Sequence, residues 1–326
     1  MSNHSMGLIA DIGGTNARFA LCSTDGEFIS PLTLECKNYP SLESAAKAYL
    51  TQIHYRGPAI KEAAFAVACP VLSDQVALTN HEEWSFSIEE LRNRLQLDHL
   101  TVVNDFVAQA LAVPLLKENQ KIKIGQGDAA QGFPIVVVGP GTGLGVSILV
   151  PQPNGCWTAL ASEGGHATMP APFPEEERII AALRQEYGHV SAERVVSGMG
   201  LTNLYKTLLT LHGEQAQKIE PAEITQRALN GDALCREAVQ MMFGLLGTLA
   251  GNLALTAGAL GGVYIAGGIV PRDGLLEMFK ESSFRVRFEA KGRFTSYLSR
   301  IPTYVMKADY PAFLGLYGLI QKNIEN

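Results

Sequence analysis

The sequence predicts an α/β protein of two lobes, in which parallel strands are joined by helical crossovers. Three observations lead there. Strand-length apolar runs alternate with helix-length amphipathic stretches through the first third of the chain. A block at 133–150, "FPIVVVGPGTGLGVSILV", repeats the apolar run, glycine-threonine turn and apolar run of the opening "LIADIGGTNARFAL" at 8–21. The length, 326 residues, is enough for two domains or one large one.

In chain order, 7–13, 16–22 and 28–35 read as strands, 41–55 as a helix behind Ser41, and 61–69 as a buried strand. Ser87 and Glu90 form a capping box for a helix at 87–96, which leads to the strand "HLTVVND" and a further helix. Near Leu115 the chain turns polar, "LKENQKIKIGQGDAAQG", and the lobe boundary is placed there. Residues 1–115 are then a small α/β lobe and 116–310 a large α/β lobe, with a C-terminal helix at about 311–326 returning to the first. Within the large lobe, helices are expected near 174–187, 198–211, 221–229, 232–257 and 273–282, and strands near 262–266 and 302–307.

Composition excludes several classes. Apolar residues at 47% and charged residues at 18% suit a soluble globular chain, and a net charge of −6 with scattered basic residues gives no footprint for nucleic acid. Five cysteines without a CxxC pair point to reduced thiols rather than to a disulfide framework or zinc cluster. The opening MSNHSMG has no charged and apolar leader, so the cytoplasm is the expected compartment. The uncharged stretch 238–271 holds Gly247 and Gly251 in GxxxG spacing, but Gln240, Asn252 and its other glycines favour a buried helix feeding a strand over a membrane span.

The chemistry-bearing features are glycine turns and the polar residues at strand ends. Glycine lets backbone N–H groups approach a ligand, and adjacent N–H groups with a threonine hydroxyl make a concave donor set for phosphate oxygens. Gly13-Gly14-Thr15 and Gly141-Thr142-Gly143 can therefore act as two jaws on one polyphosphate. Asp11, just ahead of the first, is placed to hold Mg2+ through water. A third cluster, "IAGGIVP" at 265–271, offers Gly267 and Gly268 to the flat face of a nucleoside. Taken singly, each is more often an ordinary turn, because glycine is the default turn residue; three in one chain, one with an aspartate and two with threonine, are harder to dismiss. No GxxxxGK[ST] loop occurs, and no GxGxxG follows the first strand.

On the acceptor side, Asn104 and Asp105 end a buried strand directly before a helix, where α/β folds gather ligand groups. Asp105 can take a proton from an attacking hydroxyl while Asn104 bonds a neighbouring one; helix capping is an equal alternative. Glu163 and His166 flank a double glycine and suit vicinal hydroxyls of a polyol; otherwise the pair reads as a surface turn or part of a metal site, for which no third and fourth ligand lies nearby in the sequence. Glu193, behind Ser191, reads by itself as a first-turn carboxylate complementing a helix dipole.

Together, the ordered series Asp11-Ile-Gly-Gly-Thr-Asn-Ala-Arg, Val-Asn104-Asp105-Phe, Gly139-Pro-Gly-Thr-Gly-Leu-Gly, Glu163-Gly-Gly-His166, Ser191-Ala-Glu193-Arg and Ile265-Ala-Gly-Gly-Ile-Val-Pro resembles the bacterial glucokinase family. "LTNHEEWSFS", "AGNLAL" and "FEAKGRF" are similar to it as well, and the resemblance runs over about residues 7–320. It implies the two-lobed actin-like ATPase (ribonuclease H-like) fold shared with hexokinases, with the active site in the interlobe cleft. It also implies ATP and Mg2+ as cofactors, in-line phosphorylation of D-glucose to glucose 6-phosphate, and a homodimer that binds neither nucleic acid nor membrane.

Carried over position by position, Asn104, Asp105, Glu163, His166 and Glu193 would bind glucose, with Asp105 as general base. Asp11, Gly13, Gly14, Thr15, Gly141 and Thr142 would surround the phosphates and Mg2+, and Gly267 and Gly268 would border the adenosine. Pro140 departs from the small residue of many relatives and removes one N–H from the second jaw. Mannose and fructose are alternative acceptors. The related ROK kinases carry a cysteine-histidine zinc cluster that has no trace here, and a sugar-sensing regulator is the rival from another class.

Overall fold

Strand β1 (Ser5–Ile12) runs antiparallel to β2 (Asn16–Ser23), which pairs antiparallel with β3 (Phe28–Glu35). After helix α1 (Leu42–Gln52), strand β4 (Glu62–Val67) lies parallel to β1 on its other side. The short pair β5 (Gln75–Val76) and β6 (Phe86–Ser87) and helix α2 (Ile88–Arg94) precede β7 (His99–Asn104), parallel to β4, and helix α3 (Asp105–Ala112). These elements, in a computed structural model describing residues 5–78, 82–215 and 218–325, belong to the first of two units, residues 1–116 with 308–326. Residues 1–4 of MSNHSMG and 79–81 of "LTNHEEWSFS" lie outside the described residues.

The sheet order is β3-β2-β1-β4-β7, and its period-two alternation feeds two core layers. Leu8, Ala10, Ile12, Phe19 and Phe65 pack with Tyr49 and Trp84 on one face. The intervening Ile9, Ala20, Ala64 and Ala66 meet the C-terminal helix (Pro311–Glu325) on the other. In that second layer the C-terminal helix also approaches α3 closely. A Cβ on Gly315 would lie 1.9 Å from the Ala108 carbonyl oxygen of α3. Ser87 caps α2 by accepting the Glu90 N–H at 3.1 Å, but the Glu90 carboxylate turns to Arg94 at 3.4 Å. An i,i+4 ion pair thus stands where the sequence suggested the reciprocal half of a capping box.

The second unit, residues 117–307, contains β8 (Lys121–Ile124), β9 (Ile135–Pro140), β10 (Leu144–Pro151), β11 (Trp157–Ser162), β12 (Val263–Ile265) and β13 (Thr303–Met306). Its order is β11-β10-β9-β12-β13-β8. Read from β11, the first five strands repeat the order and directions of the first unit's sheet: two antiparallel pairs, then two parallel ones. Strand β8 falls inside the polar stretch assigned to the hinge. Its Lys-Ile-Lys-Ile alternation buries Ile124 and leaves Lys123 exposed, and the Lys121 ammonium sits 5.3 Å from the Tyr304 ring centroid.

Helices α4 (Pro174–Tyr187), α5 (Gly198–Leu211), α6 (Pro221–Leu229) and α7 (Ala233–Ala257) follow, then α8 (Leu275–Lys280), α9 (Phe284–Glu289) and α10 (Thr295–Leu298). Helix α7 is long and apolar enough to cross a membrane by length and composition, yet most of it is buried in this unit's core. Its glycine spacing has a packing cause. A Cβ on Gly247 would stand 2.2 Å from the Phe284 carbonyl oxygen, and one on Gly251 2.5 Å from that of Phe288, so the glycines form the groove that seats α9. From α9, buried Arg287 forms a two-pronged pair with buried Glu176 and donates to Thr248 Oγ1 at 3.0 Å. The "FEAKGRF" stretch continues this contact, Lys291 Nζ donating to the Thr248 carbonyl at 3.2 Å.

Candidate active site

In the first unit, β1 and β7 flank β4, so their carboxyl ends lie on one edge of the sheet. Asp11 stands near the end of β1 and Asp105 opens α3 just past β7. Asn104 is the cap of α3: its Oδ1 accepts the Phe106 N–H at 2.9 Å and its Nδ2 donates to the Cys69 carbonyl at 3.3 Å. Asp105 Oδ1 accepts the same Phe106 N–H at 2.9 Å. Burial, and after it the charge of Asp11, pushes the Asp105 carboxyl up to about 6, against the pull of the Phe106 amide and the Asn104 side chain. Burial also raises Asp11, although Arg18 stands 3.7 Å away and pulls the other way.

Two carboxylates, both raised by burial and one of them also by the other's charge, are a donor set suited to a divalent cation, which would relieve both. Among the described residues no group of three or more His, Cys, Asp or Glu gathers as a metal site. Magnesium nevertheless fits beside Asp11, since it keeps several waters and commonly takes only one or two carboxylates plus phosphate oxygens.

The turn after β1 is closed by its own backbone. The Gly13 N–H donates to the Asn16 carbonyl at 2.9 Å, and the Thr15 carbonyl accepts from the Cys36 N–H at 2.9 Å. The turn between β9 and β10 repeats the device, the Gly141 N–H donating to the Gly143 carbonyl at 2.8 Å. Both amides are thus spent on the turns themselves, which leaves Gly14, Thr15, Thr142 and Gly143 to offer donors outward. Thr15 and Thr142 are exposed.

The glycines of the second unit divide by what surrounds them. A Cβ on Gly139 would lie 2.5 Å from the Ala266 carbonyl carbon, and one on Gly267, whose φ is +79°, 2.4 Å from the Pro140 carbonyl oxygen. These two serve the packing of the "IAGG" turn on the end of β9. At Gly141 and Gly268 a Cβ would meet nothing within 4 Å. Neither packing nor, at these two positions, a left-handed φ calls for glycine there, which marks them as places where something else approaches.

Glu163 and His166 sit on the short turn after β11, both exposed, with His166 Nε2 3.9 Å from Glu163 Oε2. Glu193 is drawn to the same region of the unit, its Oε2 accepting the Leu144 N–H at 2.9 Å. It is therefore a tertiary ligand of the turn, and its bond to Leu144 goes beyond complementing a helix dipole. Sequence reasoning missed Arg18, the partner of Asp11. It placed the start of α5 at residue 198 but missed its tie to the glycine turn, where Ser197 caps the helix and the Gly198 N–H donates to the Gly141 carbonyl at 2.8 Å. The Ser-Gly pair in "VVSGMG" was the available signal.

The chain is similar to known proteins over almost its whole length. The sequence model of the glucokinase family matches residues 8–323. The chain is 52% identical over 316 residues to a glucokinase of Paramagnetospirillum magneticum, covering 97% of each protein. The fold is similar to that of a glucokinase from an Antarctic psychrotroph, with a TM-score of 0.86 at 36% identity over 97% of this chain and 98% of that one. A ROK family glucokinase from Streptomyces griseus in complex with glucose and AMPPNP shares the fold at a TM-score of 0.64 and 17% identity, covering 97% of this chain and 99% of its own. The likeness covers a two-lobed actin-like ATPase fold, and the family match together with the 52% relative settles the kinship: this chain belongs to the glucokinase family.

Proposed function

We propose that this chain transfers the γ-phosphoryl group of ATP to the C6 hydroxyl of glucose, with Asp105 as the general base. The observation that carries the assignment of the base is the raised carboxyl of Asp105, about 6, at the carboxyl edge of a parallel sheet. A base so placed is ionised at neutral pH and still has appreciable proton affinity. Asn104, with Glu163, His166 and Glu193, binds the sugar hydroxyls and orients the C6 oxygen. Asp105 accepts the proton of that oxygen as it attacks the γ-phosphorus in line, the bond to the ADP oxygen breaks, and negative charge spreads over the equatorial oxygens.

Thr15 and Thr142 hydroxyls and the turn amides stabilise that charge, while Gly268 borders the adenosine on the turn that Gly267 packs against the end of β9. Asp11 would hold Mg2+ through water, and the ion, when bound, neutralises phosphate charge. Positioning and electrostatics supply most of the acceleration, the base contributing roughly 10²–10⁴-fold. A homodimer in the cytoplasm is proposed on the family's precedent, and sedimentation of the purified protein tests the dimer.

The deciding experiment is coupled detection of ADP with MgATP and glucose, mannose, fructose, N-acetylglucosamine or no sugar. Glucose-dependent turnover, weak on the rest, supports the reading. Faster turnover on another hexose would overturn the substrate, and ADP formation independent of any sugar would overturn the acceptor site.

A further inference from the structure

Glu193 faces two tasks that belong to different halves of the reaction. Its Oε2 accepts the N–H of Leu144, the first residue of β10 and the one that follows Gly141-Thr142-Gly143. Pairing between β10 and β11 stops at Val146 opposite Ser162, so a side chain receives the amide beyond that point. Gly143 is shaped around this carboxylate, because a Cβ there would stand 2.6 Å from Glu193 Oε2. The carbonyl of the same Leu144 lies against Gly165, where a Cβ would come within 2.0 Å, inside the turn that carries Glu163 and His166. The Glu193 backbone is fixed as well, its carbonyl accepting from Ser197 Oγ at 2.7 Å. One residue, Leu144, thus ties the glycine-threonine turn to both segments that carry sugar-binding candidates.

We propose that Glu193 is a positioning residue for the nucleotide as well as a sugar ligand: Oε2 sets the 141–143 turn through Leu144, Oε1 takes a sugar hydroxyl, and the two substrates are coupled through one carboxylate. This rests on the reading that the turn receives phosphates and Glu193 a hydroxyl of the sugar. Binding linkage makes the coupling reciprocal, so each substrate tightens the other by the same factor.

Three variants separate the roles: Glu193→Ala, Glu193→Gln and Gly143→Ala. Calorimetry measures Mg-AMPPNP affinity with and without glucose, and glucose affinity alone, with Tm as the control for folding. Glu193→Ala is expected to weaken nucleotide binding in the absence of sugar, on the order of fivefold or more, and to abolish the gain from glucose. Gly143→Ala removes no sugar ligand but pushes the carboxylate off Leu144, and it should weaken both substrates. Glu193→Gln keeps an oxygen that accepts the Leu144 N–H, so nucleotide affinity survives while glucose affinity falls.

Unchanged sugar-free nucleotide affinity in both Glu193→Ala and Gly143→Ala would overturn the inference while leaving the kinase reading intact. Equal nucleotide loss in the Gln and Ala variants would overturn the division of labour between the two oxygens. Failure of the unmodified protein to bind glucose would instead overturn the functional reading beneath it.

Discussion

Asp105 carries two opposed consequences that can be measured on one variant, Asp105→Asn. With a carboxyl at about 6 in the folded chain, roughly 90% is ionised at pH 7, about half at pH 6 and about a tenth at pH 5. If Asp105 is the base, kcat/KM for glucose falls tenfold per pH unit below about 6, and the Asn variant loses at least about a hundredfold in kcat. Stability moves the other way. The folded state holds this proton more tightly than the unfolded chain between 3.8 and about 6. Stability therefore declines as pH rises through that window, and the cost is fully present above it.

At ~1.36 kcal/mol per pH unit the interval amounts to about 3 kcal/mol, and partial solvent access brings the expectation to about 1–3 kcal/mol. Asp105→Asn should therefore raise the denaturation midpoint at pH 7.5 and leave it unchanged near pH 4, while abolishing most turnover. The assay is a pair of urea titrations at the two pH values beside a pH profile of kcat/KM from 4.5 to 8 at saturating MgATP. A limb in the parent that stays flat down to pH 4.5, or an Asn variant with no pH-dependent gain in stability, would refute the reasoning. Asp11→Asn supplies a further check, since removing its charge should move the limb to lower pH.

Other perturbations follow from the same geometry. Arg287→Met strands the buried Glu176 carboxylate and should cost about 3–5 kcal/mol, whereas Arg287→Met with Glu176→Met should recover much of it; a double variant no better than the single would show that the charge pair is not the issue. Gly315→Ala forces the C-terminal helix off α3, at about 1–3 kcal/mol in urea unfolding, and an unchanged midpoint would mean that the helix shifts freely. Gly141→Ala and Gly268→Ala should stay within about 0.5 kcal/mol of the parent in stability but raise KM for MgATP. Gly139→Ala should lower Tm, and a similar Tm loss in all three would erase the distinction between packing and ligand glycines.

That distinction shows what a sequence can and cannot carry. The strands around Asp11 were legible because residues 8–12 and 17–22 alternate between two core layers, and periodicity is written locally. The site residues stood out because polar and glycine residues interrupt apolar runs at strand ends. Strand β8 was hidden because half of its four residues are lysines at a sheet edge. Helix α9 was hidden because its core-facing Arg287 is matched by Glu176, a partner far away in sequence, and arginine ordinarily signals solvent.

Which glycine serves the fold and which serves a ligand was equally unreadable, since Gly139 and Gly267 are explained only by each other's segments meeting. Glu193 is the sharpest instance. Its pattern announces a carboxylate at a helical turn, while its bond to Leu144 depends on a strand that ends too early to receive that amide. Residues that look functional here also hold the site together, so alanine substitution alone confounds the two roles. Glutamine at 193 and alanine at 143 separate them because one keeps the turn's acceptor and discards the charge, while the other keeps the charge and displaces it.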